Sequence, residues 1–233
     1  MNGFLRRLGI ARGRFRALGL ACGIGVVALV ARPLPVVAAP MALNDFGRLA
    51  ARCAPRVALS TLAAVARTES GFEPLMIHDN TTGLSSLAGS RARAIRIAQA
   101  ALQAGHSVDL GIMQINSANL APYGLTVSAA FTACRSMAVG AAILSQAYAG
   151  GDTHKAQQAA LRIAISRYNT GNAQDGFVNG YVHRVELSAE KIVPELDGAP
   201  HPMAAAPSPT QAGVVQTLSN GRQTLTISDV GPR

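Results

Sequence analysis

The stretch "VARTESGFEP", from Val65 to Pro74, contains a carboxylic acid in an unusual local setting. Glu69 ends an apolar run predicted to be helical, and Ser70 and Gly71 follow at once. The C-terminal end of a helix disfavours an anion, which raises the pKa of a carboxyl group there. A general acid needs such a raised pKa. Glu69 is therefore either a catalytic acid or a charged residue that faces water at a helix end.

Three short stretches combine glycine with polar and apolar side chains, and each ends or interrupts a predicted element. They are "ESGF" at 69–72, "DLGIMQIN" at 109–116 and "YNTG" at 168–171. Glycine lets the backbone approach another group closely, and amide and hydroxyl side chains bind polar ligands. Each stretch taken alone is more typical of a turn. Asp109 in particular is predicted to be a turn or cap residue rather than a second catalytic carboxylate.

The sequence contains no comparable pattern for binding a metal ion, a phosphate group or a nucleic acid. His78 stands beside Asp79 and Asn80, but the five histidines lack the spacing of zinc ligands, so solvated turn histidines are the preferred interpretation. We predict no metal and no cofactor. The basic side chains of helix 90–104 are interpreted as a solvated face. The sequence contains no phosphate-binding loop or nucleic-acid-binding motif.

The formal charge of +9 is concentrated at the N-terminus, which contains six arginines and no acidic residue before residue 40. The rest has 15 basic and 12 acidic residues. The N-terminal arginines precede an apolar run, Ala17–Ala31, and then "RPLPVVAAP", the order of a secretory signal peptide. We predict a signal over 1–39, cleaved near Ala38, and a periplasmic protein with no stable membrane insertion after cleavage. An uncleaved anchor is the alternative.

Two cysteines remain after the predicted signal is removed, Cys53 and Cys134. An even pair in an oxidising compartment predicts a disulfide, and two separate buried thiols are the alternative. A bridge closing a loop of roughly 80 residues contributes about 4 kcal/mol in the loop-entropy model.

The sequence predicts a mainly α-helical domain over 40–196 with a small extended piece. Apolar spacing of three to four residues predicts helices at 43–68, 90–104, 128–149, 155–168 and 181–193. Residues 108–116 are predicted to be extended with a short helical turn, and "HDNTTG" to be a turn. The Pro- and Ala-rich segment 197–233 is predicted to be a flexible tail, with a possible hairpin near its end.

Together, in this order and spacing, the three stretches resemble the lytic transglycosylases with a goose-type lysozyme-like domain. The branch that serves type IV secretion systems is the most similar. It has "CAP" before the catalytic helix, as at Cys53–Pro55, and a phrase like Phe131–Cys134 followed by Gly140–Leu144. The resemblance covers roughly residues 45–195 and implies a lysozyme-like fold.

The resemblance implies that the protein cleaves peptidoglycan glycan strands between N-acetylmuramic acid and N-acetylglucosamine and forms a 1,6-anhydro end. It implies Glu69 as the single catalytic acid and base. The substrate-binding residues that it implies are Ser70, Met113, Gln114, Asn116, Tyr168 and Asn169. A type IV secretion or conjugation channel would supply the protein partners.

Two other functions remain open from the sequence. The first is a hydrolytic lysozyme on the same fold, which needs a second carboxylate positioned to activate water. The second is a non-catalytic adaptor that binds the wall during assembly of the channel.

Overall fold

A computed structural model describes residues 39–198 of the chain. The predicted signal segment before residue 39 and the predicted tail after residue 198 lie outside the described residues. Within them the fold is mainly helical with one small sheet, as predicted. The eight helices of this part of the chain are α1 (Leu43–Cys53), α2 (Leu59–Ser70), α3 (Arg91–Gln103), α4 (Val127–Ala130), α5 (Ala133–Ala147), α6 (His154–Thr170), α7 (Asp175–Val178) and α8 (Tyr181–Gly198).

The segment 43–68, predicted to be helical, is two helices separated at Ala54–Ala58. Pro55 lies in this connection, where its missing N–H and fixed φ are compatible with a turn and not with a continuous helix. The second helix, α2, is the centre of the core, because every residue from Thr61 to Ala66 is buried. Its small alanine side chains allow α8 to pack closely along it.

Four short strands form an antiparallel sheet in the order β2-β1-β3-β4. They are β1 (Met76–Asp79), β2 (Leu84–Leu87), β3 (Val108–Leu110) and β4 (Ile115–Asn116). The predicted turn "HDNTTG" is therefore only partly a turn, since His78 and Asp79 belong to β1. The predicted extended piece at 108–116 is confirmed as two strands, although hydrogen-bonded turns rather than a helical turn connect them.

The remaining helices differ from the predictions at two breaks. The segment 128–149 divides into α4 and α5 at Phe131–Thr132. The last helix passes through Pro194 and continues to Gly198, where the sequence predicted an end at 193. A proline removes one backbone hydrogen bond and so weakens the helix locally. The helix nevertheless continues, because the fully buried side chain of Ile192 attaches this part of it to the core.

Cys53 and Cys134 form a disulfide, as predicted, with their Cα atoms 5.4 Å apart. The bridge connects the last residue of α1 to the first turn of α5. Between residues 39 and 198, no helix combines the length and apolar character needed to cross a membrane.

Candidate active site

Glu69 is the penultimate residue of α2 and is held where the helix ends. Gly71 caps the helix in the left-handed conformation, with φ +61°, and its N–H donates to Arg67 O at 3.0 Å. The Glu69 side chain is half-buried, and the Tyr181 hydroxyl donates a hydrogen bond to its Oε1. Tyr181 is the first residue of α8, so the packing of α8 on α2 forms this contact.

The surroundings of Glu69 favour its neutral form. Burial is the largest influence, and the negative charge of Asp109 adds to it. The hydrogen bond from Tyr181 and the positive charge of Arg184 oppose it. The net effect raises the pKa of Glu69 to about 8. The carboxyl group is therefore mostly protonated at neutral pH, the state that a general acid requires.

The turn Gly111–Gln114 lies beside the end of α2 and is tied to two of the predicted site residues. The Ser70 hydroxyl donates to Ile112 O at 2.8 Å, and the Tyr168 hydroxyl donates to Met113 O at 2.7 Å. The three stretches singled out in the sequence therefore meet in space. Ser70 and Tyr168 use their hydroxyl groups to join these stretches, and any contact that they make with a substrate remains a prediction.

Met113 and Gln114 stabilise the turn from inside. The Met113 side chain is fully buried and packs against Gly140, so it faces the core and not a cleft. Gln114 has a positive φ of 45° and is 9% exposed, and its Nε2 donates to Gly111 O at 2.7 Å and to Met76 O at 3.2 Å. Both side chains therefore have a structural role in the turn, and contact of either residue with a substrate remains a prediction.

The two predicted asparagines also bind protein groups. Asn116 Nδ2 donates to Asp109 Oδ1 at 2.7 Å, and its Oδ1 accepts from the N–H of Ala118. Asn169 Oδ1 accepts from Asn179 Nδ2 at 3.0 Å, in the segment that leads into Tyr181. The first asparagine orients a carboxylate near Glu69, and the second connects α6 to the start of α8.

Two residues near Glu69 were not identified from the sequence as site residues. Asp109, predicted to be a turn or cap residue, is the central residue of β3, and its charge acts on Glu69. Tyr181 was interpreted only as the start of a helix. No local pattern distinguishes it from a core aromatic residue, since it is 3% exposed.

The phenols of Tyr168 and Tyr181 remain hydrogen-bond donors throughout the physiological pH range. Burial, followed by the charge of Glu69, raises the pKa of both well above the usual value. Neither hydroxyl can therefore act as a base near neutral pH. Glu69 is the group in this cluster whose proton can be exchanged.

The fold and the site define a class of protein: a mainly helical domain with a carboxylic acid kept mostly neutral at the end of a central helix. The chain belongs to the family described as the transglycosylase SLT domain, whose model matches residues 48–189. This family agrees with the resemblance to lytic transglycosylases that the sequence motifs indicated.

Individual relatives agree with the family. Over 163 residues the chain is 48% identical to protein virB1 of Agrobacterium fabrum strain C58, an alignment that covers 70% of this chain and 66% of that protein. It is 35% identical over 176 residues to the type IV secretion system protein virB1 of Brucella suis biovar 1, covering 70% of this chain and 74% of that protein. The chain thus spans about two thirds of the Agrobacterium relative's length. No solved structure matches the chain significantly.

Proposed function

We propose that the protein is a peptidoglycan lytic transglycosylase. It cleaves the β-1,4 bond between N-acetylmuramic acid and N-acetylglucosamine and leaves a 1,6-anhydro-muramyl end. The observation that carries the proposal is a half-buried carboxyl group, Glu69, whose pKa is raised to about 8 and which lies where the stretches 69–72, 109–116 and 168–171 meet. Family membership supports the reaction class.

In the proposed reaction, Glu69 acts first as an acid. Because Oε1 accepts the hydrogen bond from Tyr181, we place the transferable proton on Oε2. This proton passes to the bridging oxygen, the bond from that oxygen to C1 of the muramyl sugar breaks, and the N-acetylglucosamine leaves with a free 4-hydroxyl group. Glu69 is then a carboxylate.

In the second step Glu69 acts as a base. Its carboxylate takes the proton from the muramyl 6-hydroxyl group while O6 forms a bond to C1. The acid is regenerated, and no water is consumed. Because the nucleophile is part of the substrate, it reacts at the high effective concentration of a tethered group. The carboxylate of Asp109 stabilises the positive charge that develops on the muramyl ring between these steps.

Hydrolysis on the same fold is the second candidate function, and Asp109 is the observation that favours it. Glycosidases that use water need two carboxyl groups near the scissile bond, and Asp109 lies close enough to Glu69 to influence its pKa. Its Oδ1 already accepts from Asn116, and this bond fixes the orientation of the carboxylate. Hydrolysis yields a reducing end, which is heavier than the anhydro end by one water.

The relatives suggest where the enzyme would act. The relatives from Agrobacterium and Brucella are both named virB1, and the Brucella protein is named a type IV secretion system protein. We propose that the protein is exported to the periplasm and opens the wall locally for a secretion or conjugation channel. Channel subunits are the proposed partners, with segment 197–233 as a candidate contact. Unchanged channel assembly and subunit pull-down after deletion of this segment would remove it from consideration.

Digestion of purified peptidoglycan with the full chain and with Glu69→Gln tests the proposal. We expect anhydro-muropeptides from the parent by mass spectrometry and none from the variant. Reducing-end products would replace the proposal by hydrolysis. No products from either protein, with wall binding retained, would favour the non-catalytic adaptor. Thermal unfolding of both proteins verifies that the variant is folded.

A further inference from the structure

A row of polar side chains crosses all four strands of the sheet. Ser85 on β2 is paired with His78 on β1, His78 with Asp109 on β3, and Asp109 with Asn116 on β4. Residues that are directly opposite in a sheet project from the same face. The adjacent row projects from the other face, and its buried apolar members belong to the core: Ile77, Leu110 and Ile115.

Side-chain contacts join two pairs within this polar row, and charge interactions link these pairs to each other and to Glu69. His78 Nδ1 lies 2.9 Å from Ser85 Oγ, and Asn116 Nδ2 lies 2.7 Å from Asp109 Oδ1. The charge of His78 acts on Asp109, and the charge of Asp109 acts on Glu69. His78 is therefore the basic residue of the row, one strand away from the carboxylate whose charge acts on Glu69.

The ionised form of Asp109 requires stabilising neighbours because the side chain is partly buried. Burial raises the pKa of Asp109, and hydrogen bonds from Asn116 and Asn80 and the charge of His78 oppose this rise. The other titratable groups that interact with Asp109 in the described part of the chain are Glu69 from α2 and Tyr168 from α6. His78 supplies the positive charge among the groups that act on Asp109.

We propose that His78 is a positioning residue whose imidazolium, oriented by Ser85 and paired across the strands with Asp109, keeps Asp109 ionised beside Glu69 at mildly acidic pH. This inference rests on the proposed function, in which the Asp109 carboxylate stabilises charge on the muramyl ring. Histidine suits the role because an imidazole ring can carry a positive charge and form a directed hydrogen bond at the same time.

The proposal predicts which side of the pH–rate profile depends on His78. In His78→Gln, the pKa of Asp109 rises, so the acidic limb of the profile moves to higher pH. The basic limb, which reports loss of the Glu69 proton, stays in place because Asp109 is ionised there in both proteins. A change in folding or in substrate access alone would lower the rate at every pH and leave both limbs where they were.

The first experiment compares pH–rate profiles of peptidoglycan cleavage by the full-length parent and variants. We expect the rate of His78→Gln at pH 5, relative to its own optimum, to be several-fold below that of the parent, because a smaller fraction of Asp109 is ionised there. Ser85→Ala should move the acidic limb in the same direction by less. An unmoved acidic limb in His78→Gln would overturn the proposal.

A second histidine provides a matched control. His106 Nδ1 lies 2.7 Å from Asp79 Oδ2, so it also pairs with a carboxylate, but Asp79 projects from the other face of β1. His106→Gln should leave the acidic limb in place. An equal shift in His106→Gln would show a general effect of removing positive charge and would also overturn the proposal.

The second experiment does not depend on activity. Carboxyl carbon NMR of the full chain without substrate follows the titration of Asp109 and Glu69, with assignments from Asp109→Asn and Glu69→Gln. We expect the Asp109 midpoint to be higher in His78→Gln than in the parent, and an unchanged midpoint would overturn the proposal. A shifted midpoint in a protein that releases no muropeptides would support the His78 inference while the proposed function fails.

Discussion

The hydroxyl of Tyr181 donates a hydrogen bond to the carboxyl group of Glu69, and the contribution of this bond can be measured by its effect on the pH dependence. Its hydrogen bond stabilises the Glu69 carboxylate and so lowers the pKa of Glu69. In Tyr181→Phe we therefore expect the basic limb of the pH–rate profile to move to higher pH. We also expect the maximal rate to fall by about tenfold, because the carboxyl loses its fixed orientation.

The profile of Tyr181→Phe is best compared with that of Tyr123→Phe. Tyr123 also donates to a side chain, Gln146 Oε1, but at an exposed site. This control should keep both the rate and the basic limb. A basic limb of Tyr181→Phe that stays in place or moves to lower pH would contradict the role given to this hydrogen bond.

Glu69 should also make folding depend on pH. Its pKa is raised in the folded protein from the usual 4.5 to about 8, so between these values the folded state binds a proton that the unfolded state does not. The free energy of unfolding therefore decreases as the pH rises through this window. Glu69→Gln, which cannot ionise, should be more stable than the parent at pH 9, by on the order of a few kcal/mol.

Chemical denaturation of both proteins at pH 4, 6.5 and 9 measures this difference. The two free energies of unfolding should be most alike at pH 4 and should diverge as the pH rises. A difference that is constant across the three pH values would mean that the amide substitution itself, and not ionisation of Glu69, changes the stability.

At the scale of elements, Gly111 allows the turn beside Glu69 to pack against α4. Its φ is +74°, and a Cβ atom there would lie 2.1 Å from Ala130 O. Gly111→Ala must therefore displace the turn that receives the hydrogen bonds of Ser70 and Tyr168. We expect a loss of about 3 kcal/mol or more in the free energy of unfolding and a large loss of activity.

Substitution of Gly83 serves as a control for Gly111, because it measures the cost of a left-handed backbone conformation without a steric clash. Its φ is +73°, but a Cβ atom there would have no heavy atom within 4 Å. Gly83→Ala should therefore cost about 1 kcal/mol, the cost of the left-handed conformation alone. Similar losses in both variants, measured by urea unfolding, would show that the contact with Ala130 is unimportant.

At the scale of the whole molecule, the disulfide connects elements that lie far apart in the sequence. Cys53 and Cys134 are separated by 81 residues, and the bridge joins α1 to α5. A double Cys→Ala variant should lose about 4 kcal/mol in the free energy of unfolding, mostly through greater freedom of the unfolded chain. Because neither cysteine contacts Glu69, the basic limb of the pH–rate profile should not move.

Guanidinium denaturation of the oxidised parent, the reduced parent and the double variant measures this contribution. The reduced parent and the double variant should unfold at similar denaturant concentrations, both below that of the oxidised parent. Equal stability of all three proteins would show that packing of α1 against α5 alone maintains this part of the fold.

Much of the helical framework could be predicted from the sequence, because helix periodicity and capping are local. Gly71 caps α2 directly after Ser70, and Ser90 caps α3 through the N–H of Arg93. The errors occur where local patterns compete. The prediction placed Pro55 within the helical segment 43–68 and ended another helix before Pro194, whereas the chain is not helical at Pro55 and remains helical through Pro194. Packing, and not the proline itself, decides between them.

The sequence by itself predicted Glu69 as the candidate acid, and it determined the place of this residue at the end of a helix and the cysteine pair, since each depends on a short pattern or on simple chemistry. Tertiary structure alone decided what surrounds that acid. Tyr181 is 112 residues from Glu69, and Asp109 comes from a strand whose pairing the sequence did not reveal. Such partners are decided when α8 packs on α2 and the strands align, because burial and charge at Glu69 depend on contacts that no local pattern encodes.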